Sequence, residues 1–380
     1  MIFKIKKIIL LLFCLFFSIY KGKANKKVDK SRKVLVVQMA KLGDMVCTTP
    51  MFRAVKGKYP DCEVIVVGNK INKDILEGNS DVNKYIVFNN FLRVVKEVKK
   101  ENVDFACVTA PDFVSLAILY LANVKTIVVP FIENGYSPYE VWEYKILRKL
   151  VITMSHKMGS YAPREYLKLL EPIDIFVTDT KKYLYFSDEA NKKVNNYFGN
   201  NNINKNDLVI GISPSAGNKI KKWGADKFAE LADYIYKKYD AKIIVIGGKR
   251  DEVEVKEMIS FLSKDTQIFN TLDAFNIDEL KVLISKMNIF ISVDTGPIYI
   301  AEAFGVATID ITGPIDEREQ PPISDIHRVV CIDNREKPEL YVMNARAYDK
   351  KEALRQTNEI SVSMVIKEFD NLFRFLVSKK

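Results

Sequence analysis

Four segments of this chain place small, hydroxyl-bearing and charged residues directly after short apolar runs. Short apolar runs predict buried strands, so the polar residues after them are expected at strand ends. In open α/β sheets, ligands bind at the carboxyl ends of the strands. The chemistry that these residue types support there is phosphate binding and proton transfer.

The first segment follows the apolar run VLVVQ and contains Gly43 and Asp44. We expect Gly43 to allow a tight turn and a close approach of the ligand, and Asp44 to open a helix. A carboxylate at this position could remove a proton from an acceptor hydroxyl as a general base. The alternative is that Asp44 only caps the helix, and the local spacing alone favours that alternative.

The second segment, GISPSAGNKIKKW (211–223), follows a predicted strand in the second half of the chain. The hydroxyl groups of Ser213 and Ser215 could approach a phosphate together with backbone N–H groups. The lysines that follow, including Lys221, could neutralise its charge. The alternative is an ordinary surface turn with solvated lysines.

The third segment, SVDTGPIYIAEA (292–303), passes from a buried strand into a helix. Pro297 is expected in the first turn of that helix, a position that proline favours. The N–H groups of this turn and the helix dipole favour a diphosphate, so Thr295, Gly296 and Pro297 predict a phosphate site. Asp294 could belong to that site or merely cap the helix.

The fourth segment is GGKRDE (247–252). Its paired glycines would let a nucleoside lie against the end of a strand, and Asp251 or Glu252 could bind ribose hydroxyls. An ordinary turn between a strand and a helix, with acidic residues in the first helical turn, explains the pattern at least as well.

These segments belong to a chain in which short apolar runs alternate with helical periodicity. The runs predicted as strands are 33–38, 63–68, 85–88, 104–109 and 126–129 in the first half, and 208–213, 242–248, 266–270, 289–293 and 307–312 in the second. This alternation predicts parallel sheets covered by helices. The predicted organisation is a leader at 1–32, a Rossmann-like domain at 33–187, an Asn-rich linker at 188–207 and a second Rossmann-like domain at 208–380.

The leader carries almost all of the excess charge. Residues 1–33 contain ten basic residues and one acidic residue, a net charge of +9 out of the formal net charge of +10 of the whole chain, so the body of the chain is nearly neutral and nucleic-acid binding is not expected. The apolar run from Ile8 to Tyr20 is shorter than the roughly 20 residues that cross a membrane. It fits a signal peptide, a marginal anchor or an interfacial helix, and the lysines after it predict that the body stays in the cytoplasm.

Metal and thiol chemistry are not indicated by the composition. The five cysteines are widely spaced without a C-x-x-C pair, and the two histidines are far apart. The chain also has no Asp-x-Asp sequence, so we expect neither a metal site nor a cofactor.

Three segments together resemble the bacterial glycosyltransferase family 9, the ADP-heptose:lipopolysaccharide heptosyltransferases. They are residues 34–64, 211–235 and 290–314, which follow one another in the family's order within a resemblance that spans roughly residues 33–330. The resemblance implies the GT-B architecture, in which two Rossmann-like domains face each other across a cleft. It makes 33–187 the acceptor-side domain and 208–380 the nucleotide-sugar donor domain.

The resemblance also implies roles for individual residues. Asp44, beside Gly43, corresponds to the proposed catalytic base. Lys221 corresponds to the lysine that contacts the donor phosphate, with Ser213 and Ser215 in the neighbouring loop. The segment Asp294–Pro297 corresponds to the one that holds the diphosphate, and the ribose-binding acid falls at Asp251 or Glu252.

Two departures from the family pattern affect the identity of the donor and the choice of acceptor, and one of them falls at Tyr299, which with Gly43 is predicted for the acceptor side or its loop. The family commonly has His where this chain has Tyr299, which can donate a hydrogen bond but cannot be a cation near neutral pH. After Gly313 and Pro314 the chain reads IDEREQPPISD, where many members have Thr-Asp-Pro.

The resulting hypothesis is an inverting, metal-independent glycosyltransferase that moves heptose from ADP-heptose to a lipopolysaccharide core acceptor. We expect a nucleotide-sugar donor, a lipid-linked saccharide acceptor and a membrane surface, bound through residues 1–33, on the cytoplasmic side of the inner membrane. The alternatives are a related transferase that uses another nucleotide sugar for a capsule, glycolipid or protein, a nucleotide-sugar epimerase, and a non-catalytic, membrane-tethered binding protein.

Overall fold

The computed structural model describes residues 2–21 and 32–379. The chain forms two compact units. Unit 1 comprises Met1–Lys181 and Val342–Ala347, and unit 2 comprises Lys182–Tyr341 and Tyr348–Lys380.

Unit 1 is built on a six-stranded parallel sheet in the order β3-β2-β1-β4-β5-β6. Its strands are β1 (Lys33–Gln38), β2 (Glu63–Gly68), β3 (Lys84–Val87), β4 (Phe105–Val108), β5 (Thr126–Ile132) and β6 (Ile152–His156). Its helices are α1 (Ile2–Lys21), α2 (Leu42–Lys58), α3 (Lys70–Ile75), α4 (Phe91–Glu101), α5 (Phe113–Leu121), α6 (Trp142–Leu147) and α7 (Ala162–Lys168). The strand order reverses between β1 and β4, which places the loop after β1 at a ligand-binding position of such sheets.

Unit 2 repeats this plan with the strand order β12-β11-β10-β7-β8-β9. Its strands are β7 (Val209–Ser213), β8 (Lys242–Val245), β9 (Ile268–Asn270), β10 (Ile289–Val293), β11 (Ala307–Ile311) and β12 (His327–Val330). Its helices are α8 (Asp188–Asn200), α9 (Ala225–Tyr239), α10 (Glu252–Phe261), α11 (Ile277–Ser285), α12 (Gly296–Ala303), α13 (Lys350–Asn358) and α14 (Val362–Ser378). Here the order reverses between β7 and β10, the strands that precede two of the predicted phosphate segments.

The predicted α/β fold class is confirmed, because every paired strand in both sheets is parallel. The sequence did not predict β6 and β12, which are edge strands and only partly buried. The other two edge strands, β3 and β9, are also partly buried but were predicted. In β6 (ITMSH) and β12 (HRVV), polar residues leave no apolar run of the kind by which the other strands were recognised.

The predicted linker at 188–207 is wrong over most of its length, because Asp188–Asn200 forms α8 within unit 2. The hydroxyl oxygen of Ser187 caps this helix by accepting a hydrogen bond from the Ala190 amide at 3.1 Å. Ala190 and Val194 are buried on a helix that packs against α11. The many asparagines of this segment hide these apolar positions.

The described part of the leader, Ile2–Lys21, forms α1, which is part of unit 1. Leu11 and Cys14 are buried in the core of the unit, where α1 packs against α5 and α6. Within residues 2–21 and 32–379, no helix combines the length and the apolarity needed to cross a bilayer.

Replacement of Gly211 by alanine tests how tightly unit 2 is packed. A Cβ at this position of β7 would overlap with Met287 Sδ and lie 2.6 Å from Phe290 Cδ2. We expect Gly211→Ala to destabilise unit 2 by about 1–3 kcal/mol through overpacking. The control is Gly199→Ala in α8, where nothing lies within 4 Å of the added Cβ and where Ala should stabilise the helix by about 0.5–1 kcal/mol. Thermal unfolding of the two variants should shift in opposite directions; equal shifts would contradict this account.

Candidate functional site

The loop between β1 and α2 is held by buried amide side chains. Gln38, which is 1% exposed, donates from Nε2 to Thr48 Oγ1 at 3.0 Å, and its Oε1 accepts from the Ala40 amide at 3.1 Å. The Ala40 carbonyl accepts from Asn69 at 2.8 Å and from Asn72 at 3.0 Å. These contacts fix the path of the chain into α2.

Asp44 is the third residue of α2, and Gly43 lies inside the first turn of that helix rather than in a turn before it. Asp44 Oδ2 accepts a hydrogen bond from the Lys41 amide at 3.0 Å, and its carbonyl accepts from Thr48 Oγ1 at 2.7 Å. The capping contact anticipated for Asp44 is therefore present. Its role as a base stays a prediction, and the structure gives this carboxylate a fixed position near the end of β1.

The loop after β7 brings the predicted phosphate-binding residues to the centre of the second sheet. Ser213 and Ser215 are both buried, and Ser213 lies beside Ser292 of β10 in register. Lys221 ends a single 3₁₀ turn at Lys219–Lys221, which is anchored where Thr357 Oγ1 donates to the Ile220 carbonyl at 3.0 Å.

Trp223 fastens the end of this loop to the core. Its side chain is 1% exposed, donates from Nε1 to the Ile360 carbonyl at 2.8 Å and meets the Phe228 ring edge-on at 4.9 Å between centroids. Trp223 is therefore a structural anchor of the loop, and it lies two residues from Lys221.

The turn between β10 and α12 has the predicted strand–turn–helix form. Thr295 precedes the helix, Gly296 begins it and Pro297 lies in its first turn. Thr295 makes no side-chain capping bond, and its Oγ1 is a buried atom without a hydrogen-bond partner among the described residues. A donor hydroxyl and the first amides of α12 thus lie at the same end of the helix.

The structure brings together Lys221 and Asp294, which the sequence predicted for donor binding, and Tyr299, which it predicted for the acceptor side or its loop. Lys221 Nζ lies 2.7 Å from Asp294 Oδ2 and also donates to the Asp294 carbonyl. Tyr299, from the first turn of α12, donates its hydroxyl to the other oxygen of the same carboxylate. Asp294 is 5% exposed, so water screens these contacts poorly.

Further charged groups lie in the same part of unit 2, and the sequence did not predict them as site residues. Lys182 has a fully buried side chain whose Nζ lies 2.6 Å from Glu302 of α12 and 5.7 Å from the centre of the Tyr299 ring. Asp310 of β11 is fully buried, and neither of its carboxylate oxygens has a partner among residues 32–379. Asp310 lies beside Ser292 in register, on the strand next to β10.

Burial raises the pKa of Asp310 well above its usual range, and the negative charge of Asp294 raises it further. Two lysines and two carboxylates already form ion pairs here, so an ionised Asp310 would be an extra buried charge. One signal could have marked this residue: Asp310 is the single charged residue in the apolar run ATIDIT.

The fourth segment follows β8 at the start of α10. Asp251 Oδ2 accepts from the Gly248 amide at 2.8 Å, and Glu252 pairs with Lys256 at 2.5 Å on the surface. A Cβ on Gly247 would lie 2.9 Å from Val255 Cγ2, so this glycine is required for packing of the strand end against α10. The ribose-binding role of Asp251 or Glu252 stays a prediction.

His156 is buried in unit 1, and His327 is half-buried on β12, where its Nδ1 lies 2.9 Å from Thr308 Oγ1 of β11. Burial lowers the pKa of both His156 and His327 to about 4, so each is neutral near pH 7. Within the described part of the chain no three His, Cys, Asp or Glu side chains group closely enough to hold a metal ion.

Each of the two units is Rossmann-like and carries hydroxyl and charged side chains at the ends of its central strands, which is the plan of the GT-B architecture. The sequence model of Glycosyltransferase family 9 (heptosyltransferase) matches residues 91–347, which is more than half of the chain, so this protein belongs to that family. The resemblance noted in the sequence is confirmed. Gly43 and Asp44 lie outside the matched residues.

Known relatives agree with this assignment. Lipopolysaccharide heptosyltransferase 3 of Escherichia coli K12 is 24% identical over 287 residues, which is 72% of this chain and 80% of that protein. A glycosyl transferase family 9 structure from Veillonella parvula superposes with a TM-score of 0.74 at 17% identity, covering 90% of this chain and 97% of that one. The ADP-heptose LPS heptosyltransferase II of E. coli gives 0.71 at 17% identity, covering 92% of this chain and 100% of that one.

Replacement of Asp310 by asparagine tests whether the buried carboxyl is protonated. A pKa raised on folding stabilises the protein at low pH, and this contribution is lost as pH rises from about 3.9, the pKa in an unfolded chain, toward the folded pKa. The asparagine side chain does not titrate, so the Tm of Asp310→Asn relative to wild type should increase by a few degrees between pH 5 and pH 8.

The control for this test is Asp325→Asn, which removes a carboxylate that is 81% exposed in the same unit. Its Tm difference from wild type should change little over this pH interval. A Tm difference for Asp310→Asn that does not change with pH, or that becomes more negative, would contradict a raised pKa.

Proposed function

We propose that this protein transfers heptose from ADP-heptose to the core region of a lipopolysaccharide, with inversion at the anomeric carbon. The observation that carries the proposal is the junction in unit 2 of Lys221, Asp294 and the start of α12. Two similar proteins support the choice of donor and acceptor: one is the ADP-heptose LPS heptosyltransferase II of E. coli, and the other is lipopolysaccharide heptosyltransferase 3 of E. coli K12.

The leaving group of this reaction is a nucleoside diphosphate, whose negative charge increases as the glycosidic bond breaks. A lysine ammonium has three N–H groups, and Asp294 accepts two of those of Lys221. We assign the third to a phosphate oxygen. Thr295 Oγ1 and the amides of Gly296 and the residues after Pro297 donate to the same diphosphate, aided by the dipole of α12. Donors fixed in a nearly dry site stabilise such charge without reorganising.

The acceptor hydroxyl must lose a proton as it attacks the sugar. We assign this step to Asp44, with Gly43 beside it leaving space for the acceptor. The proton passes to the Asp44 carboxylate, the hydroxyl oxygen bonds to the anomeric carbon, and ADP leaves from the opposite face. Lys221, Thr295 Oγ1 and the first amides of α12 supply hydrogen-bond donors to the departing diphosphate, and the step as proposed includes no metal ion.

The neutral Tyr299 in place of the family's histidine bears on donor choice. The Tyr299 hydroxyl donates a hydrogen bond to Asp294, so Tyr299 orients this carboxylate toward Lys221 and does not add a positive charge. A different nucleotide sugar, with a capsule, glycolipid or protein acceptor, is the competing function that this departure favours.

The proposed location is the cytoplasmic side of the inner membrane, where both ADP-sugars and the lipid-linked acceptor are accessible. The net positive charge of residues 1–33 supports this location, since anionic lipids attract basic segments.

Replacement of Asp44 by asparagine tests the base. Asn keeps an oxygen that can accept from the Lys41 amide, so the start of α2 should be preserved. We expect the turnover with ADP-heptose and a core acceptor, followed by mass spectrometry, to fall about 10²–10⁴-fold, while ADP binding is unchanged. The control is Asp112→Asn, which alters a comparable capping carboxylate at α5. Near-normal turnover of Asp44→Asn would remove Asp44 from the mechanism.

The lysine assignment is tested by titrating ADP into two neighbouring variants in a calorimeter. Lys221→Met should weaken ADP binding by about tenfold or more, because a charge-assisted hydrogen bond to phosphate is lost. Lys222→Met should bind ADP like wild type, because Lys222 Nζ contacts Glu254 of α10 instead of Asp294 at the start of α12. The same titration with UDP and GDP decides the donor: tighter binding of either would exclude ADP-heptose and leave the fold assignment intact.

A further inference from the structure

Helix α1 has apolar side chains on two opposite sides. On one side Leu11 and Cys14 are 3% and 0% exposed, and Leu10, Leu15 and Phe17 pack against the same core. The ring of Phe17 meets that of the buried Tyr120 edge-on, with centroids 6.4 Å apart. This side attaches the helix to α5 and α6, so α1 is a built part of unit 1 and not a segment detached from it.

The opposite side of α1 is apolar as well, but the described residues of unit 1 leave it largely uncovered. Six large side chains there are between 40% and 75% exposed. They are Ile8, Ile9, Leu12, Phe13, Phe16 and Ile19. At 3.6 residues per turn these positions fall on one side of the helix, and we call them the outer face of α1. Exposed apolar patches of this kind mark interaction surfaces.

The charges around the outer face indicate what covers it. Residues 1–33 contain ten basic residues and one acidic residue, and lysines occur before and after the apolar run. A helix with a bulky aliphatic and aromatic face between lysines has the composition of helices that lie in the membrane interface, where the apolar face enters the acyl boundary and the lysines bind anionic headgroups.

We propose that the outer face of α1 docks unit 1 onto an anionic lipid surface, with the helix axis lying in the membrane plane. The inner side of α1 stays in the core of unit 1, so the helix neither crosses the bilayer nor is removed as a signal peptide. This inference rests on the membrane location given under the proposed function, but not on the identity of the sugar or the acceptor.

The orientation has a consequence for the rest of unit 1. A helix packed on α5 and α6 transmits the position of the membrane to the folded domain directly through these packing contacts. Phe13 and Phe16 are the side chains that enter the lipid, while Leu11 and Cys14 keep the domain attached to them.

Vesicle flotation of the purified full-length protein tests the proposal. Wild-type protein should float with phosphatidylcholine vesicles that contain phosphatidylglycerol, and the bound fraction should decrease with added salt and with vesicles of phosphatidylcholine alone. The variant Phe13→Glu/Phe16→Glu should lower the partition coefficient by about tenfold or more.

A matched control separates the outer face from general surface hydrophobicity. Leu92 and Phe176 are 67% and 73% exposed in the same unit and lie outside α1. The variant Leu92→Glu/Phe176→Glu should float like wild type. If the outer-face variant floats like wild type, or if both double variants lose binding equally, the proposal is wrong.

Two further measurements distinguish the other ways of covering this face. Alkaline carbonate should release the protein from cell membranes, whereas retention in the membrane pellet would mean that the leader spans the bilayer. The intact mass of the protein should include α1, whereas a mass without α1 would mean that the leader is cleaved. A wild-type protein that ignores vesicles but forms a dimer, which Phe13→Glu/Phe16→Glu dissolves, would assign the face to a second copy. Each of these three outcomes overturns the proposal.

Flotation requires no nucleotide sugar, so it separates this inference from the proposed reaction. A protein that floats through α1 but transfers no heptose keeps the docking surface and loses the heptosyltransferase assignment. A protein that transfers heptose but does not float keeps the heptosyltransferase assignment and loses the docking surface.

Discussion

The carboxylate of Asp294 is the group on which the arrangement of the second unit's site depends. It lies at the end of β10, and it is bound by a lysine from the loop after β7 and by a tyrosine from α12. Removing one partner of a buried ion pair typically costs about 3–5 kcal/mol, because the other charge is left buried and unpaired. The junction between three separate segments of the chain is therefore held by one anion.

A second ion pair and a neutral acid complete this polar region. Lys182 and Glu302 neutralise each other near the ring of Tyr299, whose hydroxyl binds the carboxylate of the first pair. The carboxyl group of Asp310 lies among them, and burial and the charge of Asp294 both raise its pKa and disfavour its charged form. The charges in this buried part of unit 2 are thus arranged in two ion pairs, Lys221 with Asp294 and Lys182 with Glu302.

The strands whose bounds the sequence predicted correctly are strands whose burial is complete or nearly complete. The apolar runs of β1, β2 and β10 have the bounds found in the structure, because all or nearly all of their residues face the core. The half-buried β6 and β12 have no such run, and the asparagines of α8 concealed Ala190 and Val194. Burial on one side only leaves a weak trace in composition.

The candidate site follows the same division. Asp294, Thr295 and Pro297 are consecutive or nearly so, and a strand, a turn and a helix could be recognised around them. Lys182 and Glu302 are 120 positions apart in the chain, so no local sequence pattern predicts that they pair. The sequence marked Gly247 because it is a glycine in a predicted turn. The structure explains why a glycine is needed there, because Val255 leaves no space for a Cβ, and this contact cannot be seen in the sequence.

The anchoring of Trp223 gives the molecule a natural spectroscopic label. The chain has two tryptophans: Trp223 is enclosed in unit 2 beside the lysine loop, and Trp142 in unit 1 is 51% exposed. An indole in a dry, rigid surrounding emits at shorter wavelength than one in water, so the two units fluoresce in different parts of the spectrum. The blue component reports on the loop that carries Lys221, and the red component reports on the other unit, without any dye attached.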